Sequence, residues 1–343
     1  MRVKKRLVLL AFVPFVCLAL PLVALAGTPE LDVSTAAIKG QNKVAIAEFG
    51  VEFFTQLNGK STRGAARADV SSTLAGVDDA DFQAITDKAY ADTVAALQQA
   101  GFEVVDPSVL QSNATYRELG VKYGHPSPYI NEDKHFGDRK PTISKIFAPS
   151  GTGLLAYYQS SNKSDVLRGS VGERIDVQNQ GRGAKEGEIA KALGVTLLHI
   201  NYLASFGEPN NPKHNGLFSG MTARAKVTVS PMLWADETAL QFVTEAGGRT
   251  FGNSRMRHNG WVALDDELVG DAGVFTSADT TTAKTKRNDL VVGAIGVLLG
   301  GGSAQKTRDN EVTPTSAEAY RATFGSLIAE TANAFAGKLG AAR

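Results

Sequence analysis

The chain has 343 residues, a formal net charge of +1, 43% hydrophobic and 21% charged residues, an ordinary globular composition with ample material for a core. Its one cysteine, Cys17, lies in the expected leader, which excludes disulfides, thiolate metal sites and a cysteine nucleophile from the mature chain. Arg2, Lys4, Lys5 and Arg6 belong to the same leader, and without them the net charge is −3, against the basic stripe that a nucleic-acid binder needs.

Those four cations are followed by an apolar run over 7–20, Pro21 and the triplet Ala24-Leu25-Ala26. Charge, a short apolar helix and a small-x-small site in that order predict a secretory signal peptide over 1–26, cleaved to leave Gly27 first. The run is too short to span a bilayer, and no second stretch of about 20 apolar residues follows, so no transmembrane helix is expected in the mature chain. Pro14-Phe15-Val16 before Cys17 is not the leucine-and-small-residue context of a lipidated cysteine. Residues 27–343 are then expected to form a single elaborated α/β domain, periplasmic or secreted, whose stability rests on its core alone.

Val44, Ala45, Ile46 and Ala47 begin a strand that continues through Phe49, Val51 and Phe53. The inward set is even-numbered at Val44 and Ile46 and odd-numbered from Phe49, a flip that marks a β-bulge or the strand's end. Residues 57–77, rich in Gly, Ser and Thr, read as a loop. Asp81 can cap a helix carrying Phe82, Ile85, Ala89, Ala96, Leu97 and Ala100, with Gly101 as its terminator. A short strand over 102–105 leads to Asp106-Pro107, a cap with proline at the first helical position, and a helix carrying Val109, Leu110, Tyr116 and Leu119. Strand, helix, strand, helix opens a layered α/β domain.

Residues 124–183 break this regularity and predict a long, partly ordered insert packed through the apolar island 153–158. Order resumes with a short helix over 188–193, stopped by Gly194, and a strand over 195–206. Over 221–233, Thr222, Arg224, Lys226, Thr228 and Ser230 alternate with Ala223, Ala225, Val227 and Val229, the pattern of a half-buried antiparallel strand. Further strands are predicted at 239–244 and 261–264. Thr315 and Glu318 fit a capping box heading a C-terminal helix over 315–339, with Tyr320, Phe324, Leu327, Ile328, Phe335 and Leu339 in one stripe. The fold class is therefore α/β (α+β): a mixed, mainly antiparallel sheet with packed helices.

Residues that could carry chemistry are sparse. His125, His135 and Asp138, with Glu132 and Asp133, crowd into the insert and offer donor types that a divalent metal takes. Their spacing matches no zinc or calcium pattern, so a solvated loop is the alternative, and no cofactor is expected. His199, between Leu198 and Ile200, reads as a satisfied structural histidine. Ser150 and Ser219 lack the elbow spacing of a serine hydrolase, which leaves a hydrolase assembled from distant residues as a third reading. Gly181-Arg182-Gly183 with Gly187 imitates a phosphate loop without its Gly-Lys-Ser/Thr or its preceding strand. The run of Leu290, Val291, Val292, Ile295, Val297, Leu298 and Leu299 ends in Gly300-Gly301-Gly302. It is either a buried segment or an exposed flap hinged at the glycines, for which membrane, lipid or a protein partner would be the counterpart.

Lys43-Val44-Ala45-Ile46-Ala47-Glu48-Phe49, the helix end Ala96-Leu97-Gln98-Gln99-Ala100-Gly101 and the strand Phe102-Glu103-Val104-Val105 together resemble the start of a periplasmic superfamily. It includes the curli-secretion channel CsgG, the N-terminal domain of TolB and flagellar-assembly proteins. Ala190-Lys191-Ala192-Leu193-Gly194-Val195-Thr196 is similar to the helix end that leads into a later strand of that pattern. The chain departs from the channel members in having neither a lipobox cysteine nor a pair of long alternating hairpins. The resemblance implies a non-enzymatic envelope protein that docks partners, with no catalytic residues to carry over. The expectation is thus an exported accessory protein that binds an envelope protein or lipid, with no nucleic acid and no oligomeric state fixed by the sequence. The alternative is a periplasmic carrier of an apolar, lipid-like ligand that uses residues 290–299.

Overall fold

One strand of 21 residues, β2 (Lys43–Arg63), is the axis of the structure. The computed structural model describes residues 29–63, 66–134, 138–154, 181–210, 225–235, 237–248, 258–298 and 305–343, with backbone only at 63, 66, 210, 293 and 295–298. The expected signal peptide lies outside the described residues. Before the first long helix come β1 (Leu31–Ser34), β2 and β3 (Ala66–Leu74). Then follow α1 (Asp79–Gln99), β4 (Glu103–Val104), α2 (Pro107–Ser112), α3 (Ala114–Tyr123), β5 (Tyr129–Asp133) and β6 (Thr142–Phe147). The middle of the chain supplies α4 (Arg182–Leu193), β7 (Thr196–Asn210), β8 (Lys226–Leu233), β9 (Ala239–Val243) and β10 (Gly260–Leu264). The last part adds β11 (Leu268–Val269), β12 (Phe275–Asp279), α5 (Ala283–Leu298), β13 (Gln305–Pro314) and α6 (Ala317–Ala342).

These strands form one mixed sheet with the order β1-β10-β9-β7-β2-β3-β13-β12. Short side branches are β8 with β11 on β7, β4 on β2, and the β5/β6 hairpin on β2. Among the described pairs, β2–β7, β2–β4 and β3–β13 are parallel and the others antiparallel, so the sheet is mixed and mainly antiparallel as the sequence implies. Between Ile46 and Glu48 the β2–β7 register shifts by one residue, at the place where the apolar alternation changes phase. On one face, Phe49, Val51 and Phe53 with Leu198, Ile200 and Tyr202 pack against Phe82, Ile85 and Ala89 of α1 and Tyr320, Phe324, Ile328 and Phe335 of α6. The other face holds Ala45, Ala47 and Leu197 under Leu110, Leu119, Tyr123, Ile189 and Ala190 of α2, α3 and α4. Helices on both faces make a three-layer domain.

Several boundaries differ from the sequence reading. Residues 57–77 are largely strand, since β2 and β3 form a long hairpin from Gln56 opposite Thr73 to Arg63 opposite Ala66. Leu57, Ala68 and Val70 are buried there, and the serines and threonines between them conceal the alternation without weakening pairing. Part of the expected insert is likewise built into the sheet, because β6 pairs with β2 from Val51 opposite Phe147 to Gln56 opposite Ile143. Residues 155–180 lie outside the described residues. Asp78, rather than Asp81, caps α1, with Asp81 as the returning partner of a capping box. Ser316, rather than Thr315, caps α6. Asn113 sits in extended backbone and accepts from the Tyr116 N–H, dividing the second predicted helix into α2 and α3.

The helix expected over 188–193 begins already at Arg182, and its glycines serve packing. A Cβ on Gly183 would lie 2.8 Å from Gly248 Cα, and one on Gly187 would lie 2.4 Å from Gly247 Cα. The Gly248 N–H donates to the Gly183 carbonyl at 2.9 Å. Backbone thus meets backbone where a phosphate loop was imitated. Gly187→Ala should lower stability by about 1–3 kcal/mol through this overlap. Gly337→Ala, in the interior of α6 with nothing within 4 Å of the added atom, should raise it by about 0.5–1 kcal/mol. Urea unfolding of the two variants beside the parent measures both.

Candidate functional site

The α4 side of the sheet carries a buried charge cluster. The bulge turns Glu48 toward that side and sets it opposite His199 in the neighbouring strand. Arg182 and Glu186, one helical turn apart on α4, point down onto them. Arg182 Nε donates to Glu186 Oε1 at 2.6 Å and Arg182 Nη2 to Glu48 Oε2 at 3.0 Å. His199 closes the ring, with Nδ1 3.2 Å from Glu48 Oε2 and Nε2 3.4 Å from Glu186 Oε1. The His258 ring lies edge-on to His199 with centroids 4.8 Å apart. Glu48, Arg182, Glu186 and His199 are at most 4% exposed.

Removing such groups from water is costly unless each finds an opposite charge and a hydrogen bond. Here two carboxylates enclose a guanidinium and an imidazole, and the bonds from Arg182 fasten α4 to β2. Glu48 also borders a small cleft of about 140 Å³ with Tyr90, Leu110, Gln111 and Tyr116. The Tyr116 hydroxyl donates to the Ala47 carbonyl at 2.8 Å, and burial pushes its ionisation up to about 12. Sequence reading singled out His199 in this group, and met Arg182 only within the imitated phosphate loop. The phase flip at Glu48 and the four-residue spacing of Arg182 and Glu186 were the available signals.

The sequence-predicted metal residues are not brought together as a set. His125 packs beside Tyr129 with ring centroids 4.9 Å apart, Asp138 pairs with Lys60 at 3.7 Å, and His135 lies outside the described residues. Among the described residues no group of three His, Cys, Asp or Glu side chains is placed to hold a metal ion. Ser150 Oγ donates to Asp87 Oδ2 at 2.7 Å, a carboxylate rather than an imidazole. Ser219 lies outside the described residues.

The apolar run is the second half of helix α5 rather than a strand. Thr282 Oγ1 accepts from the Thr285 N–H at the helix start, and Asp289 accepts from the Thr307 N–H at 2.7 Å and from its hydroxyl at 3.0 Å. These bonds tie the middle of α5 to β13. Just past that anchor, Leu290, Val291 and Val292 are 73%, 56% and 39% exposed. Lys284, Lys286 and Arg287 are exposed in the preceding turns. Polarity therefore divides along the helix axis, with a cationic first half and an apolar second half. Ile295, Val297 and Leu298 continue that half in sequence, with their side chains outside the description, and Leu299 lies outside the described residues. No helix among the described residues is long and apolar enough to cross a membrane. Comparison of the chain with protein-family models, curated proteins and solved structures gave no match.

Two expected outcomes follow from the cluster and its neighbours. Arg182→Met strands Glu48 and Glu186 in the interior and should cost about 3–5 kcal/mol of stability. Adding Glu48→Gln and Glu186→Gln removes the stranded charges and should recover part of that loss in chemical denaturation. Burial also raises the phenols of Tyr202 and Tyr320. A raised folded value means that the contribution is whole below pH about 10 and, for Tyr116, is lost as the pH rises through about 12. Stability should thus fall across that interval, and phenolate absorbance of these tyrosines should appear only with unfolding.

Proposed function

We propose that this is an exported, non-enzymatic accessory protein of the cell envelope that docks on an anionic lipid leaflet through α5. What carries the reading is the lengthwise polarity of that helix: Leu290, Val291 and Val292 exposed in succession beyond Asp289, and three exposed cations just before it. Other exposed large apolar side chains among the described residues, such as Val33, Val121 and Val269, stand singly. Isolated ones are ordinary on any surface, whereas a contiguous patch marks a contact.

A leaflet has the same layering as the helix. Its anionic headgroups would meet Lys284, Lys286 and Arg287, and its acyl region would receive the apolar half. At about 1.5 Å per residue the stretch 290–298 is roughly 13 Å long, under half of the ~30 Å hydrocarbon thickness. It is suited to dipping into one leaflet. The charge and spacing of residues 1–26 support export, and the superfamily resemblance of the opening strand–helix–strand supports a docking role without chemistry.

Flotation with vesicles of phosphatidylglycerol and phosphatidylethanolamine, beside vesicles of phosphatidylcholine alone, tests the reading. The protein lacking residues 1–26 should float with the anionic vesicles. A variant with Leu290→Ser, Val291→Ser and Val292→Ser should stay with the unbound fraction while melting cooperatively like the parent. Replacing Lys284, Lys286 and Arg287 by Gln should weaken binding about a hundredfold, at roughly 1 kcal/mol per cation near an anionic surface. Absence of flotation, or flotation unaffected by the serine variant, would overturn the proposal.

A further inference from the structure

The small cleft beside Glu48 lies at a gap in the sheet. On one edge, β2 pairs with β4 only at Lys43 and Val44, and β6 takes over from Val51. Ile46 to Phe49 therefore border the cleft from the uncovered edge of the strand. Phe49 and Tyr90 of α1 meet edge to face there, with ring centroids 5.3 Å apart and planes at 84°. Tyr116 of α3 adds a third ring to the lining, held by its bond to the Ala47 carbonyl. Gly151, Thr152 and Gly153 form part of the rim. Ser150 fixes that rim, since its N–H and its hydroxyl both donate to Asp87 at 2.7 Å.

Glu48 is the one charged side chain among the described residues that line this cleft. Its contacts with Arg182 and His199 both fall on Oε2. Oε1 makes no bond among the described residues, yet it is not sealed off as the unpaired buried atoms are. It therefore opens on the cleft that the residue lines. The surroundings have the same sign. The charges that bear on the phenols of Tyr90 and Tyr116 are the carboxylates of Asp106, Glu48 and Glu186, against Arg182 alone. An anion would be repelled here, whereas a cation gains from the carboxylate and from the negative faces of the rings.

We propose that this cleft binds a compact organic cation, a quaternary alkylammonium of the choline kind. A cavity of about 150 Å³ is enough to admit benzene, so the volume of about 140 Å³ suits a group of that size. Its N-methyl groups would lie against the aromatic walls and its charge near Glu48 Oε1, the way that aromatic cages recognise quaternary ammonium groups. Aromatic walls with a single carboxylate suit an alkylated cation better than a metal ion, which takes several oxygen or nitrogen ligands. No α5 residue lines the cleft, so the inference does not rest on lipid docking.

Calorimetric titration of the protein lacking residues 1–26 with choline and tetramethylammonium chlorides should give saturable binding. The N-methyl proton resonance of either cation should move upfield as the methyl groups enter the ring currents. Dimethylbutanol, the uncharged carbon isostere of choline, should bind roughly tenfold more weakly or not at all, and potassium chloride should give no saturable heat. Tyr90→Leu removes one aromatic wall while keeping apolar bulk, and should weaken choline binding about fivefold. Glu48→Gln keeps an acceptor for Arg182 and should weaken it about tenfold. Tyr90 stands outside the charge cluster, so its variant reads the cleft even where Glu48→Gln fails to fold. No saturable binding of either cation, equal binding of the uncharged alcohol, or unaltered affinity in a cooperatively melting Tyr90→Leu protein would each overturn the proposal.

Discussion

The one-residue slip between Ile46 and Glu48 governs how the layers meet. Before it, Val44 and Ile46 face the α1/α6 side; after it, Phe49, Val51 and Phe53 do so. The extra residue lets a single strand keep its large side chains on one core while turning a carboxylate to the opposite side. Glu48 so placed, beside His199, needs a buried cation, and Arg182 is the group that supplies it. The position of α4 follows from that need. The glycines at 183 and 187 follow in turn, because the helix must lie against the turn at Gly247 and Gly248 with no side chain between. A bulge in a central strand has thus set a charge cluster, a helix and a close backbone contact.

Away from that centre the structure is tied by fewer and more polar bonds. Helix α5 is joined to β13 through Asp289 and Thr307, whereas α6 buries Tyr320, Phe324, Ile328 and Phe335 against the sheet. An element with little apolar burial contributes little to global stability and is able to change surroundings without disturbing the core. Leu290, Val291 and Val292 therefore form a surface whose chemistry is separable from folding. Strand β13 links it to the hairpin end, since it runs parallel to β3 and carries Asp309, which holds Arg139 and Lys140. Asp309 keeps its carboxyl below the ordinary range although burial works against it, because the bonds from Arg139 and Lys140 outweigh that burial.

Periodic apolar positions were the legible part of the fold. The stripe of Tyr320, Phe324, Leu327, Ile328, Phe335 and Leu339 became one buried helix face, and the phase change near Glu48 became an observed bulge. The hairpin over 57–74 was hidden because its Ser, Thr and Asn residues are also those of loops, and only pairing with a neighbour distinguishes the two. Helix starts were displaced by a few residues for a related reason. Asp78 and Asp81, or Thr315 and Ser316, are equally able to cap, and the choice falls to whichever aligns the apolar stripe with the core.

By itself the sequence determined the layered α/β class, the helices α1 and α6 and their buried stripes, and the absence of cysteine from residues 27–343, because each depends on composition or short-range spacing. Tertiary structure decided the rest. The meeting of Glu48, Arg182, Glu186 and His199 joins residues up to 151 positions apart, and Ser71, Arg139 and Trp234 line one cleft from three separate segments. Whether Leu290, Val291 and Val292 are core or surface is likewise a matter of what lies beside them, since a short apolar run has the same local pattern in either place. Distance along the chain conceals such neighbours, and folding alone brings them together.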